Sequence, residues 1–255
     1  MRETIYKYIG FPAFVDLVQR QALHFVLPSE WDDPEETSFA YQWLSGLDEM
    51  YQKLMALLVV NRTFAQSWTC LEESDAMWRI YSYDNQALRI SVDISKINEI
   101  DGVKILPVEY DDSLISYSSL SYSDMLMKYI SQKRKAFEHE KEVRLLYVDR
   151  IEEDRIEPAI RNLYYILTGQ SGREKDIDVN KIKLEELKEY IDFSNLNQNK
   201  KSHKVSFGCI PDFIKNVLVH PLAPEWYVDT VKRYCDLNSV PFEGKSKLYS
   251  ITTVS

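Results

Sequence analysis

The chain has 255 residues, a formal net charge of -9 and a sequence pI near 5.1, a balance that argues against a broad nucleic-acid surface or an anionic-membrane footprint. Hydrophobic residues make up 45% and charged residues 28%, which supports a sizeable core and excludes a disordered chain. Only seven glycines occur, with neither G-x-G-x-x-G nor G-x-x-x-x-G-K-[ST], so a Gly-rich phosphate loop is not expected.

The first residues, MRETIYKYIGFPAF, place charges and tyrosines where a signal peptide has an apolar core, and no apolar run approaches the ~20 residues of a membrane span. The expected location is therefore cytoplasmic, with no membrane partner. Cys70, Cys209 and Cys235 lack C-x-x-C spacing, as reduced thiols do, and the four His are scattered, so no metal is expected.

Thr4–Gly10 is rich in β-branched and aromatic residues and predicts a strand. Its alternation puts Tyr6 and Tyr8 on one face and Lys7 on the other. A helix over about 12–21 follows, then a second strand over 23–27. The acidic cluster Glu30-Trp31-Asp32-Asp33-Pro34-Glu35-Glu36 precedes an apolar-periodic segment that predicts a helix from roughly 35 to 60. Asp33 as N-cap, Pro34 at the first helical position and Glu36 near the third form a capping pattern; the alternative use of Asp32, Asp33 and Glu36 is a divalent-metal site.

Phe64–Cys70 predicts a strand, and Ser74 opens a short helix in which Trp78 and Tyr81, three apart, share a face. Those two rings could stack on a planar base or simply pack in the core. Further strands are expected over 87–92 and 103–110, and a helix over 125–137 with basic residues in its last turns. Helices near 159–167 and 181–190 and a polar loop NLNQNKKSHK come next. The chain should finish with strands over 204–209, 216–220 and 247–252 and a helix over 225–237. Runs of strands that do not strictly alternate with helices define one α+β domain spanning 1–255, with a mixed, mostly antiparallel sheet and flanking helices.

The most chemistry-like stretch is Lys133 to Arg150, KRKAFEHEKEVRLLYVDR. If the strand predicted over 142–148 extends back through Glu140, then Glu140, Glu142 and Arg144 share a face with roughly 6 to 7 Å between successive Cα atoms. Two carboxylates held this way can stabilise the positive centre formed when a glycosidic bond breaks. Glu142 is then the catalytic acid and Glu140 its helper in orienting the acceptor. The competing structural reading is a strand face tied by cross-strand ion pairs. Arg62, Arg79 and Arg89 are candidate phosphate partners by chemistry alone.

These residues resemble a bacterial and phage family known as domain of unknown function twenty-nine seventy-one. The likeness runs through Tyr6-Lys7-Tyr8, Trp31-Asp32-Asp33-Pro34-Glu35-Glu36, Met77-Trp78-Arg79-Ile80-Tyr81, the phrase formed by Phe137, Glu140, Glu142 and Arg144, and Val217-Leu218-Val219-His220-Pro221. The order matches, although Asp32 stands where the family has Asn, Glu35 where it has an aromatic residue, Asn85-Gln86-Ala87 where a Gly leads into a strand, and His220 where it has Gly. The Glu140–Glu142 pair is also similar to the catalytic strand of ADP-ribosyltransferases. That likeness implies NAD, a small-molecule nucleotide, as the ligand, with Tyr6, Lys7, Tyr8, Trp78, Tyr81 and Arg144 as contacts. The family resemblance implies a role in toxin action or anti-phage defence, where a protein partner would be met. A non-catalytic sensor or protein-binding module, and a metal-dependent nuclease using Asp32, Asp33 and Glu36, are the alternatives.

Overall fold

The fold is α+β, a mixed and mostly antiparallel sheet with helices against it. A computed structural model describes residues 3–33, 60, 62–82, 84–112, 127–128, 130–149, 201–208 and 213–250. The helices expected within 35–60, 159–167 and 181–190, and the polar loop before Lys201, lie essentially outside the described residues.

The strands are β1 (Thr4–Gly10), β2 (Ala22–Val26), β3 (Thr63–Thr69), β4 (Ala87–Asp93), β5 (Val103–Pro107), β6 (Glu109–Tyr110), β7 (Gln132–Lys133), β8 (Glu142–Val148), β9 (Ser202–Ser206), β10 (Asn216–Val219) and β11 (Phe242–Lys245). The helices are α1 (Phe11–Arg20), α2 (Asp75–Tyr81), α3 (Ile94–Asn98) and α4 (Glu225–Leu237), with 3-10 helices at Pro28–Glu30 and Lys135–Glu140. In the main sheet the order is β11-β10-β4-β1-β3-β2-β9, and β8 also pairs with β3 and carries β5 on its far side. The β10–β11 pair and the small β6–β7 pair are parallel; the other pairings are antiparallel.

Alternation along each strand decides what each face of the sheet carries. On β4, Leu88, Ile90 and Val92 join Ile5, Phe64, Leu145 and Val217 in the main core, covered by Phe14, Leu17 and Val18 of α1 and Tyr227, Val231 and Cys235 of α4. Phe11 and Phe14 lock the two helices together through edge contacts with Tyr234. The other face carries Tyr8, Ala87 and Leu218 against Met77 and Trp78 of α2, and Ala65 and Leu146 against Leu106 and Ile130. This second face is where polar side chains are also buried.

Four expected elements differ in the structure. The strand expected over 204–209 is Ser202–Ser206, so the end of the polar stretch expected as a loop pairs with β2 instead. The expected strand over 103–110 is two strands, because Pro107 offers no N–H and the chain then turns to pair with β7. Of the helix expected over 125–137, the described residues 127–128 and 130–131 are helical; Gln132 and Lys133 leave it to pair with Glu109 and Tyr110, which carries the Lys133 side chain to two carboxylates, and Lys135–Glu140 is a 3-10 helix. The final strand is Phe242–Lys245 rather than 247–252: Ser246 Oγ accepts the Leu248 N–H at 3.1 Å and turns the chain, and 251–252 lie outside the described residues.

Leu145 is fully buried at the centre of β8, between Gln66 of β3 and Ile105 of β5. Leu145→Ala should lower unfolding free energy by about 2–5 kcal/mol in urea denaturation at unchanged m-value, the usual cost of a large-to-small change in a packed core.

Candidate functional site

The centre of β3 is poorly paired along one edge. Strand β1 meets it at Tyr6↔Thr69 and β2 meets it at Val26↔Ala65, so no ladder spans Gln66, Ser67 and Trp68 on that side. Side chains take over there: Gln66 Nε2 donates to the His24 carbonyl at 3.0 Å, Trp68 Nε1 donates to Gln66 Oε1 at 2.9 Å, and Lys7 Nζ donates to the Ser67 carbonyl at 2.7 Å.

A cleft of about 280 Å³ opens at this separation, at the low end of the range for small-molecule sites. Tyr6, Lys7, Tyr8, Trp31, Ser67, Thr69, Tyr81, Lys133, Glu140 and Glu142 are among the residues that line it. Six of the eight residues singled out from the sequence thus reach one cleft. Alternation on β1 forbids Tyr6, Lys7 and Tyr8 from sharing a face without a bulge. The β1–β4 register runs unbroken from Thr4 to Gly10, and it is the gap between β1 and β3 that lets the Lys7 ammonium reach the cleft.

The acidic row is built differently from the expected continuous strand. Glu140 ends the 3-10 helix, Lys141 takes the left-handed conformation at φ 44°, and β8 begins at Glu142. Thr69 Oγ1 donates to the Glu140 carbonyl at 2.6 Å and the Cys70 N–H to the Lys141 carbonyl at 3.0 Å, fixing this turn against the end of β3. The Glu142 N–H donates to the Tyr110 hydroxyl at 2.6 Å. Left-handed backbone is unfavourable for a lysine, and these three bonds hold it in place.

The turn brings both carboxylates to Lys133. Its Nζ lies 2.8 Å from Glu140 Oε2 and 2.9 Å from Glu142 Oε2. Arg144 donates from Nε to Glu142 Oε1 at 2.8 Å and from Nη1 to the Ile130 carbonyl at 2.7 Å, and its guanidinium lies 4.3 Å from the centre of the Trp31 ring. The Glu142 side chain is 3% exposed and that of Arg144 1%, whereas that of Glu140 is 13% exposed. Burial pushes the Glu142 carboxyl up, but Arg144, Lys133 and the Ser67 hydroxyl outweigh it and hold it at about 2. A carboxyl held so low stays ionised near neutral pH, so Glu142 presents a carboxylate at this position.

Two expected ligand contacts lie behind the cleft wall. Trp78 is 0% exposed, edge-on to Tyr8 at 4.7 Å and to His220 at 5.2 Å, with its indole N–H on Glu73; it supports Tyr8 and is closed to a ligand. Tyr81, expected on the same helix face, is 44% exposed and stacked on Tyr8 at 6.3 Å. Arg144 is spent on Glu142, Ile130 and Trp31, so it positions the site without lining it.

Other candidates have structural partners. Arg62 pairs with Asp149 and Arg79 with Asp75, and buried Arg89 packs over the Tyr6 ring at 4.9 Å. His220 Nδ1 accepts the Leu222 N–H at 3.0 Å. Asp33 pairs with Arg134, and Glu36 lies outside the described residues. Among the described residues no group of three His, Cys, Asp or Glu stands together as a metal site, and no helix is long and apolar enough to cross a membrane.

Sequence reasoning missed Lys133, Ser67 and Trp31 as site residues. For Lys133 the available signal was its place in the basic run before Glu140. For Trp31 it was its place at the head of the Trp31–Glu36 phrase; Ser67 carries none, since a strand serine is ordinary until the fold brings it to the cleft. No family model, curated protein or solved structure matches the chain.

The low Glu142 value fixes a pH dependence. A carboxyl with a folded value near 2 against an ordinary 4.5 contributes stability that is complete above about 4.5 and is lost as pH falls from there to about 2. Glu142→Gln should lower stability at pH 7 by about 3–5 kcal/mol, because two buried cations lose a partner. It should also flatten the fall in stability below pH 4.5; urea denaturation of both proteins between pH 2 and 7 measures the two effects.

Proposed function

We propose that the cleft binds NAD as a substrate and promotes cleavage of its nicotinamide–ribose bond, the chemistry of an ADP-ribosyltransferase-like enzyme or an NAD glycohydrolase. The observation that carries this reading is the Glu140 carboxylate, held at the rim of an aromatic-lined cleft by a lysine that a second, permanently ionised carboxylate also binds.

The work divides unequally between the acids. Glu142 anchors Lys133 and Arg144 and so sets the position of Glu140. Glu140 Oε2 is engaged by Lys133, leaving Oε1 to accept a hydrogen bond from a ribose hydroxyl. The C1′–N bond breaks with its electron pair leaving on neutral nicotinamide, and positive charge develops on the ribosyl carbon. A carboxylate already fixed nearby stabilises that charge without reorganising, before water or an acceptor nucleophile adds to the carbon. Tyr81, exposed at the cleft beside buried Tyr8, offers a ring face to a planar base. At about 280 Å³ the cleft suits the reacting end of a dinucleotide, with the other half outside.

The likeness of the Glu140–Glu142 pair to the ADP-ribosyltransferase catalytic strand supports the same reading, and the resemblance to domain of unknown function twenty-nine seventy-one suggests a bacterial cytoplasmic effector in toxin action or anti-phage defence. A second reading, a non-catalytic sensor or protein-binding module, is favoured by one observation: most of the charge at the site is neutralised internally, as in a structural ion network.

Incubation with labelled NAD separates the two readings. Wild type should release nicotinamide, and Glu140→Gln should release it roughly 100-fold or more slowly, a loss typical of removing one preorganised charge stabiliser. The variant should keep the rise in melting temperature that NAD produces. Equal release by wild type and variant would overturn the assignment, and neither release nor a thermal shift would favour the binding module.

A further inference from the structure

The two lysines that line the cleft are in different electrostatic situations. Lys133 is held between Glu140 and Glu142 at 2.8 and 2.9 Å. Lys7 is partly buried, donates to the neutral Ser67 carbonyl at 2.7 Å and lies 5.8 Å from the centre of the Trp68 ring. A carbonyl and an indole face leave the partly buried ammonium without a counter-ion in direct contact. Such surroundings favour the neutral amine, the form of lysine that attacks carbon.

We propose that Lys7 is a nucleophilic amine and that the cleft accepts a ligand carrying an aldehyde or ketone, which Lys7 captures as an imine. The inference goes beyond the NAD reading and does not rest on it. The Nζ lone pair adds to the carbonyl carbon and one Nζ proton passes to the carbonyl oxygen, giving a neutral carbinolamine. The hydroxyl then leaves as water, taking the remaining Nζ proton, and the C=N bond forms with no oxidant or reductant consumed. Glu140, at the rim with one carboxylate oxygen beyond its bond to Lys133, is placed to assist the proton transfers.

The charged and titratable groups around Lys7 set the balance. Burial is the dominant influence and lowers the amine to about 8, while the Glu142 charge on β8 works in the opposite direction. His24 on β2 is close enough to feel the Lys7 charge, and Lys133, Glu140, Tyr6, Tyr8 and Tyr81 share the cleft. With a value near 8, about a tenth of Lys7 is neutral at pH 7, against well under a thousandth for an ordinary lysine.

The test is competitive labelling of the whole protein with limiting pyridoxal and sodium cyanoborohydride, followed by peptide mass mapping from pH 6 to 11. Lys7 should label at least roughly tenfold faster than exposed lysines such as Lys104 and Lys232 at pH 7, with a rate that rises through a midpoint near 8. Lys7→Met should lose this fast phase and keep the slow background. The proposal is overturned if Lys7 labels no faster than the exposed lysines or if its rate rises only above pH 10. Nicotinamide release, followed in parallel on unlabelled protein, reports on the NAD reading separately.

Discussion

The site depends on one constraint: a carboxylate buried at the start of β8 has to be paired. Glu142 sits almost without solvent between strands, where an unpaired negative charge would cost several kcal/mol. Arg144 meets it from two residues along the same strand, and Lys133 comes from a separate segment that abandons helix to reach it. Arg144 in turn sits on the face of Trp31, and Arg134 pairs with Asp33 beside it, so the loop after β2 is fastened to the same network. The charge requirement of one side chain thereby gathers three chain segments around one cleft.

The opening itself comes from the sheet. Strand β3 is fully paired to β8 on one edge, but β1 and β2 share the other edge and each touches it at one end. The uncovered middle is a place where backbone polar groups need partners, and Lys7 and Gln66 supply them from their side chains. The same separation that creates the cleft therefore recruits an amine into its wall. Aromatic rings from β1 and α2 complete the lining, with Tyr8 braced from behind by Trp78.

Much of this was legible along the chain. β1, β8, β10 and α4 stand within a residue of their expected ranges, because each is either rich in β-branched, aliphatic and aromatic residues or apolar at helical spacing. Glu142 and Arg144 share a strand face as their spacing requires, and the tyrosine strand and the acidic row meet in one place. Illegible were the elements set by distant partners. Lys133 reads as a helix-end cation until two carboxylates are brought beside it, and Lys141 gives no sign of the left-handed turn that separates Glu140 from the strand. Trp78 and Tyr81 look equivalent at a spacing of three, yet one is sealed beneath His220 and Tyr8 and the other is open.

The sequence by itself determined the α+β character, most strand positions and the residue types available for chemistry, since these follow from local periodicity and composition. Only the tertiary structure decided which acid remains exposed, which lysine lacks a counter-ion in direct contact, and where the sheet parts. Those properties arise from burial and from the distance between charges on different segments, and neither quantity exists until the segments are packed together.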